Sequence, residues 1–159
     1  MEKYHEYLQQ AEKKIKTADH LIYMTFPIVQ DKKMFLTVLS EINNAVLLII
    51  NSILQHDYIY KQIELSKDAK TNFRTFTTKC AQSYNINDNE LRIIIEILSL
   101  AEAHRKSAME FLKNDKVIIL SDTLQPQTLS LERIKEFLVV TKEIFLKTSQ
   151  KLIKNSTYQ

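Results

Sequence analysis

The chain has 159 residues, a net charge of +3 and no glycine. A P-loop, a dinucleotide fingerprint and a nucleophile elbow each need glycine where backbone turns tightly or touches a ligand, so those classes of function are excluded. The charge is too small to imply nucleic acid by itself, and the single cysteine, Cys80, permits no intrachain disulfide and fits a reducing compartment.

Tyr4, Leu8, Ala11, Ile15, Ala18 and Ile22 are spaced alternately by four and three. That heptad seam predicts a first helix, which Pro27 ends or kinks. Asp31 is the expected N-cap of a second helix. Its seam is Phe35, Val38, Ile42, Ala45, Ile49, Ser52, His56, Ile59 and Ile63, and Leu36, Leu39, Val46, Ile50, Ile53 and Tyr60 form a second row. A stripe that wide predicts a central helix contacted on several sides. The most apolar run, residues 45–50, is shorter than the roughly 20 residues a bilayer span needs. The first twenty residues are charged throughout, unlike a secretory signal. The expectation is a cytoplasmic protein without a membrane partner.

A shorter helix follows, capped near Ser66 or Asp68. Its Phe73 and Phe76 share helical spacing with Cys80 and Tyr84, which predicts Cys80 as a small buried hydrophobe. Residues 85–89 form a polar turn, where Asn87 and Glu90 resemble a capping box. Leu91, Ile94, Ile95, Leu98 and Ala101 then mark another amphipathic helix. Ser107 and Glu110 resemble a second capping box, predicting a break near Lys106 and a short helix through Leu112. Residues 116–120 are strand-like without an evident pairing partner, and are expected as an extended segment over hydrophobic surface. Pro126 falls in a loop. Thr128 or Ser130 caps the last helix, whose seam is Leu131, Ile134, Leu138, Thr141, Phe145, Thr148 and Leu152. The predicted fold is all-α: an up-and-down four- or five-helix bundle with one short extra helix and an extended segment near 116–129. Residues 1–154 make one domain and 155–159 a frayed tail. Without glycine, Asn85, Asn87, Asn89, Asn114 and Asp115 are expected to supply left-handed backbone at helix ends and turns.

Few residues offer chemistry. A di-iron bundle needs Glu-x-x-His on two helices, and the chain has that spacing once, from Glu2 to His5. Zinc held by cysteine is excluded by count. No metal, cofactor or small-molecule ligand is therefore expected. His56 lies on the central seam near Asp57 and Tyr60, where a hydrogen-bonded core histidine is the first reading and a general base the second. Beside His104, the heptad puts Arg105 on an apolar seam, where it requires a carboxylate, a helix end or an anionic ligand. Glu102 and the break before Ser107 offer the first two. Lys67, Lys70, Arg74 and Lys79, and on the last helix Arg133, Lys135 and Lys142, form either solvated faces or a phosphate-binding surface.

The stretches 11–21 and 41–54 resemble the first two helices of HEPN-type bundles, small helical proteins associated with RNA. The chain also resembles a group of small archaeal helical proteins, in 105–111 and 117–122. The resemblance implies a helical bundle with an RNA-linked role. HEPN ribonucleases place a histidine after an arginine with four to six residues between them. After Arg105 those positions hold Glu110, Phe111 and Leu112, and Arg74, Arg92 and Arg133 also lack the histidine, so this cleavage motif is absent. The sequence thus favours a non-enzymatic bundle that binds a protein partner or a copy of itself. RNA binding through the basic faces comes second. An enzyme whose site joins His56 and His104 comes third, and it requires those residues to converge.

Overall fold

A computed structural model describes residues 2–157. Four long helices dominate it: α1 (Lys3–His20), α3 (Met34–Ile59), α5 (Asp88–Arg105) and α6 (Leu131–Thr157). Two short ones, α2 (Phe26–Val29) and α4 (Ala69–Thr75), lie in the connections. Side-chain pairs fix the helix directions. Ser52 Oγ of α3 donates to the Tyr4 carbonyl of α1 at 2.7 Å, and Lys14 pairs with Glu41 at 3.5 Å, so α1 and α3 are antiparallel. Lys142 of α6 pairs with Asp19 of α1, and Glu90 and Glu96 of α5 pair with Lys147 and Arg133 of α6. The four helices therefore alternate up and down.

The seams of α1 and α6 are buried as their spacing predicts, from Tyr4 to Ile22 and from Ile134 to Leu152, with Leu131 and Phe145 partly covered. In α3, Phe35, Val38, Ile42, Ala45 and Ile49 face α1, α5 and α6 at the centre of the bundle, while Ile59 at its end is exposed. Each fully buried aliphatic side chain contributes roughly 1.5–3 kcal/mol. α3 as a whole is long and apolar enough to cross a membrane, although the run inside it is not. Here half of its most apolar window is buried among the other elements. The polar seam residues of α6 are satisfied locally: Thr141 and Thr148 hydroxyls donate to the Phe137 and Ile144 carbonyls at 2.7 Å inside the core.

Pro27 neither ends nor sharply breaks the first helix. The turn before it, Leu21–Thr25, widens into a π-helix, and α2 continues to Val29. A proline ring clashes with the carbonyl four residues back, here that of Tyr23, and the wider turn lies where that clash would fall. Asp31 caps a preceding turn, accepting from the Lys33 N–H at 3.0 Å, and α3 begins after it. Asp68 caps α4 through Thr71, and Asn87 and Glu90 form the reciprocal capping box at α5. Between them the chain passes through a π-turn (Phe76–Cys80) and a 3-10 turn (Ala81–Tyr84). Ser130 caps α6 through Arg133. The backbone of α6 stays helical through Thr157, beyond the tail expected from Asn155; Tyr158 and Gln159 lie outside the described residues.

Several expectations are corrected. The buried face of α5 is Glu90, Ile93, Ile94, Ile97, Leu100 and Ala101, while Ile95 is half exposed. Isoleucines and leucines occur almost all round this helix, so periodicity does not fix its phase. Residues 107–112 do not form a helix. Met109–Lys113 is strand β1, paired antiparallel with β2 (Lys116–Leu120), which pairs with β3 (Pro126–Leu129). The all-α prediction thus gives way to a helical bundle carrying a small antiparallel sheet, and Pro126 begins an edge strand instead of a loop. Ser107 Oγ does bond Glu110, at 3.0 Å, but side chain to side chain, without capping a helix.

The chain makes its tight turns without glycine. Gln30, Lys61, Asn85, Asn114, Asp115 and Leu124 all have positive φ. Asn114 and Asp115 sit between the paired Lys113 and Lys116, with φ of 50° and 65°, as a two-residue hairpin turn of the primed type requires. Asn87 and Asn89 do not take this geometry: Asn87 is an extended N-cap and Asn89 is helical.

Candidate functional site

The densest cluster of polar side chains lies where α3 ends. Asp57 follows His56, and both are buried. The Asp57 carboxylate accepts from the Tyr84 hydroxyl at 2.8 Å, and His56 Nδ1 lies 3.0 Å from the same oxygen and 3.2 Å from the Tyr84 hydroxyl. Tyr84 arrives from the 3-10 turn before α5, and the Cys80 thiol, one turn earlier, is buried and feels the Asp57 charge. Tyr4 packs edge-on against the His56 ring, 5.0 Å between centroids, and Tyr60, just past the end of α3, lies 4.5 Å away. One cluster thus joins the start of α1, the end of α3 and the turns before α5.

Its electrostatics centre on the carboxylate. Burial alone would raise the Asp57 pKa, but hydrogen bonds from His56, Tyr84 and Cys80 outweigh it and hold the group below the usual carboxylate range. The neighbours move the other way. Burial and the Asp57 charge push the Cys80 thiol up to about 12, and they push the Tyr84 phenol up as well. Burial and a hydrogen bond with Tyr60 raise Tyr4 to about 12. At neutral pH the Asp57 carboxylate is ionised, while Cys80, Tyr84 and Tyr4 keep their protons. A protonated thiol is a poor nucleophile, so the arrangement suits fixing three chain segments together.

His104 and Arg105 are elsewhere. α5 runs opposite to α3, so its C-terminal end lies at the far end of the bundle from His56, and α5 alone is about 27 Å long at ~1.5 Å per residue. His104 Nδ1 lies 2.7 Å from Glu110 of β1. Arg105 is exposed and pairs with Glu102, which also holds Lys106 at 2.8 Å. The two histidines do not converge, and Arg105 has the carboxylate its position required.

The basic residues also divide. Arg133 is paired with Glu96 and Glu136 and lies over the Phe137 ring. Lys142 is paired with Asp19, and both Lys135 and Lys142 lie over Tyr23, at 5.4 and 5.8 Å. Lys67, Lys70, Arg74 and Lys79 are exposed. A separate basic set, which the sequence pattern did not single out, lies at the end of α6. Lys147, Lys151 and Lys154, with Ser83, Asn85 and Gln150, line an open groove of about 510 Å³. Lys151 donates to the Ser83 carbonyl at 2.8 Å and covers the Tyr84 ring at 4.2 Å. Lys79 and Lys151 both draw the Cys80 pKa down through their charge, against the larger effect of burial. The packing of Lys151 on Ser83 and Tyr84 depends on the antiparallel fold, which no local spacing records.

Among the described residues no group of three or more His, Cys, Asp or Glu side chains is placed to hold a metal ion. No family model matches the chain, and neither does any curated protein or solved structure. Fold and site together describe a helical bundle with a β-meander at one end and a closed polar cluster at the other.

Proposed function

We propose that this protein is an interaction module that acts by binding another protein chain through exposed apolar surface, without catalysis of its own. The observation that supports it most is on α6, where Val139, Leu146 and Ile153 stand outside the bundle at 50%, 57% and 61% exposure. They recur every seven residues, opposite the inner seam. Single exposed apolar side chains are ordinary, but an ordered row marks a contact surface. The buried polar cluster is consistent with this role, because its groups stabilise the scaffold and present no reactive atom at the surface. The test is the size of the chain, measured both purified and in native lysate. The expected result is a mass above 18.7 kDa in at least one setting, reduced by Leu146→Lys. A mass of 18.7 kDa in both overturns the proposal.

RNA binding is a second reading, favoured by Lys147, Lys151 and Lys154 at the end of α6, which line the 510 Å³ groove. It places the contact surface at the groove, away from Arg133 and Lys142. A fluorescence titration with single-stranded RNA checks it. Binding through phosphates weakens steeply with salt, and Lys151→Ala with Lys154→Ala should lower the affinity severalfold. Absence of binding at low salt removes this reading.

A further inference from the structure

The outer face of α6 carries a short repeat of its own. Lys135-Glu136 is followed three residues later by Val139, Lys142-Glu143 by Leu146, and Ser149-Gln150 by Ile153. At 3.6 residues per turn, the three apolar residues fall within about 40° of one line along the helix. Lys135 and Lys142 run along one side of that line, and Glu136 and Glu143 along the other. The stripe is therefore apolar in the middle, basic on one flank and acidic on the other.

We infer that the occupant of this stripe is a second copy of the chain, with the two α6 helices packed side by side and parallel about a two-fold axis. The inference rests on the interaction role proposed above and names its partner. Charge decides the orientation. A two-fold axis along the helices turns the basic flank of one copy toward the acidic flank of the other. Lys135 then faces the partner's Glu136, Lys142 faces the partner's Glu143, and Val139, Leu146 and Ile153 each meet their own counterparts. An antiparallel pair would set lysine against lysine and glutamate against glutamate. A seven-residue apolar repeat is also what keeps two parallel helices in register as they supercoil. The contact is isologous and closes on itself, so it gives dimers and not fibres. The flanks are partly ordered before they meet. Asp19 holds Lys142 and Arg133 holds Glu136, which lowers the side-chain entropy lost on pairing.

Sedimentation equilibrium of the purified full chain tests this over a wide concentration range. The expected mass rises from 18.7 kDa toward twice that value, and Leu146→Lys holds it at the monomer value with an unchanged thermal transition. Orientation is read by cysteine cross-linking. Val139→Cys should form a disulfide-linked dimer on oxidation, because parallel packing brings the two positions 139 together. Cys80 is buried and serves as the internal control in wild type. A chain that stays monomeric when pure overturns the second copy. The broader interaction role survives that result if the chain elutes larger in native lysate and Leu146→Lys abolishes the difference, and it fails if it does not. Cross-linking only between Val139→Cys and Ile153→Cys chains overturns the parallel arrangement.

Discussion

The two ends of the bundle solve the same problem differently. At the end built around His56, Asp57 and Tyr84, polar groups are buried and their partners come from distant parts of the chain. At the other end, the sheet closes the bundle with a local hairpin, and its polar groups pair at the surface: Lys32 with Asp115, Arg105 with Glu102, His104 with Glu110. Buried polar groups cost much when left unmatched, whereas exposed pairs contribute about 0–1 kcal/mol. Stability should therefore be far more sensitive to substitution at the first end.

Asp57→Ala is the largest expected effect. It leaves His56, Tyr84 and Cys80 buried without their shared acceptor, and should cost about 3 kcal/mol or more in urea unfolding. A cost below about 1 kcal/mol would mean that the cluster is not what joins α3 to the turn before α5. Acid should mimic this loss. The Asp57 pKa is held below its unfolded value of about 3.9. Its contribution is therefore complete above that pH and disappears as the pH falls through the folded value. The stability difference between wild type and Asp57→Asn, followed by denaturation from pH 7 to pH 2, should narrow below about pH 4. Tyr84→Phe removes one donor and leaves the carboxylate its other partners, so about 1–2 kcal/mol is expected by the same assay.

Two smaller effects probe the opposite end. Gln30, which closes α2 in the left-handed region at φ 55°, should be improved by glycine. Calorimetry of Gln30→Gly should show a gain of roughly 0.5–1 kcal/mol, or about 1–4 °C. Glu110→Gln breaks only a part-exposed pair with His104 and should change stability by less than about 1 kcal/mol. If it matched Asp57→Ala, the contrast between the ends would be lost.

How much of this was legible varies with the range of the contact. The seams of α1, α3 and α6 were readable because one apolar face alternates with a polar one. The phase of α5 was not, since Ile93, Ile95 and Leu98 spread its apolar surface around the helix. The sheet was hidden by a competing local signal: Ser107 and Glu110 have capping-box spacing, yet the primed turn at Asn114-Asp115 and the branched run Val117-Ile118-Ile119 favour a hairpin. His56 and Asp57 were visible as neighbours. Tyr84 and Cys80 could be placed on a buried face by spacing, but only the folded chain brings them to Asp57. The groove cations were missed for a related reason. Lys151 and Lys154 gain significance only from the turn at Ser83–Asn85 that packs beside them.

The six left-handed residues also bear on the state the protein folds from. Each strains the native backbone slightly, because a side chain crowds the carbonyl in that region. Glycine would remove the strain, but it would also widen the range of conformations open to the unfolded chain, by roughly 0.5–1 kcal/mol for each residue. A polypeptide with no glycine anywhere begins folding from a narrower ensemble. Small native strain at a handful of turns is thus set against restricted backbone freedom along the whole length of the denatured chain.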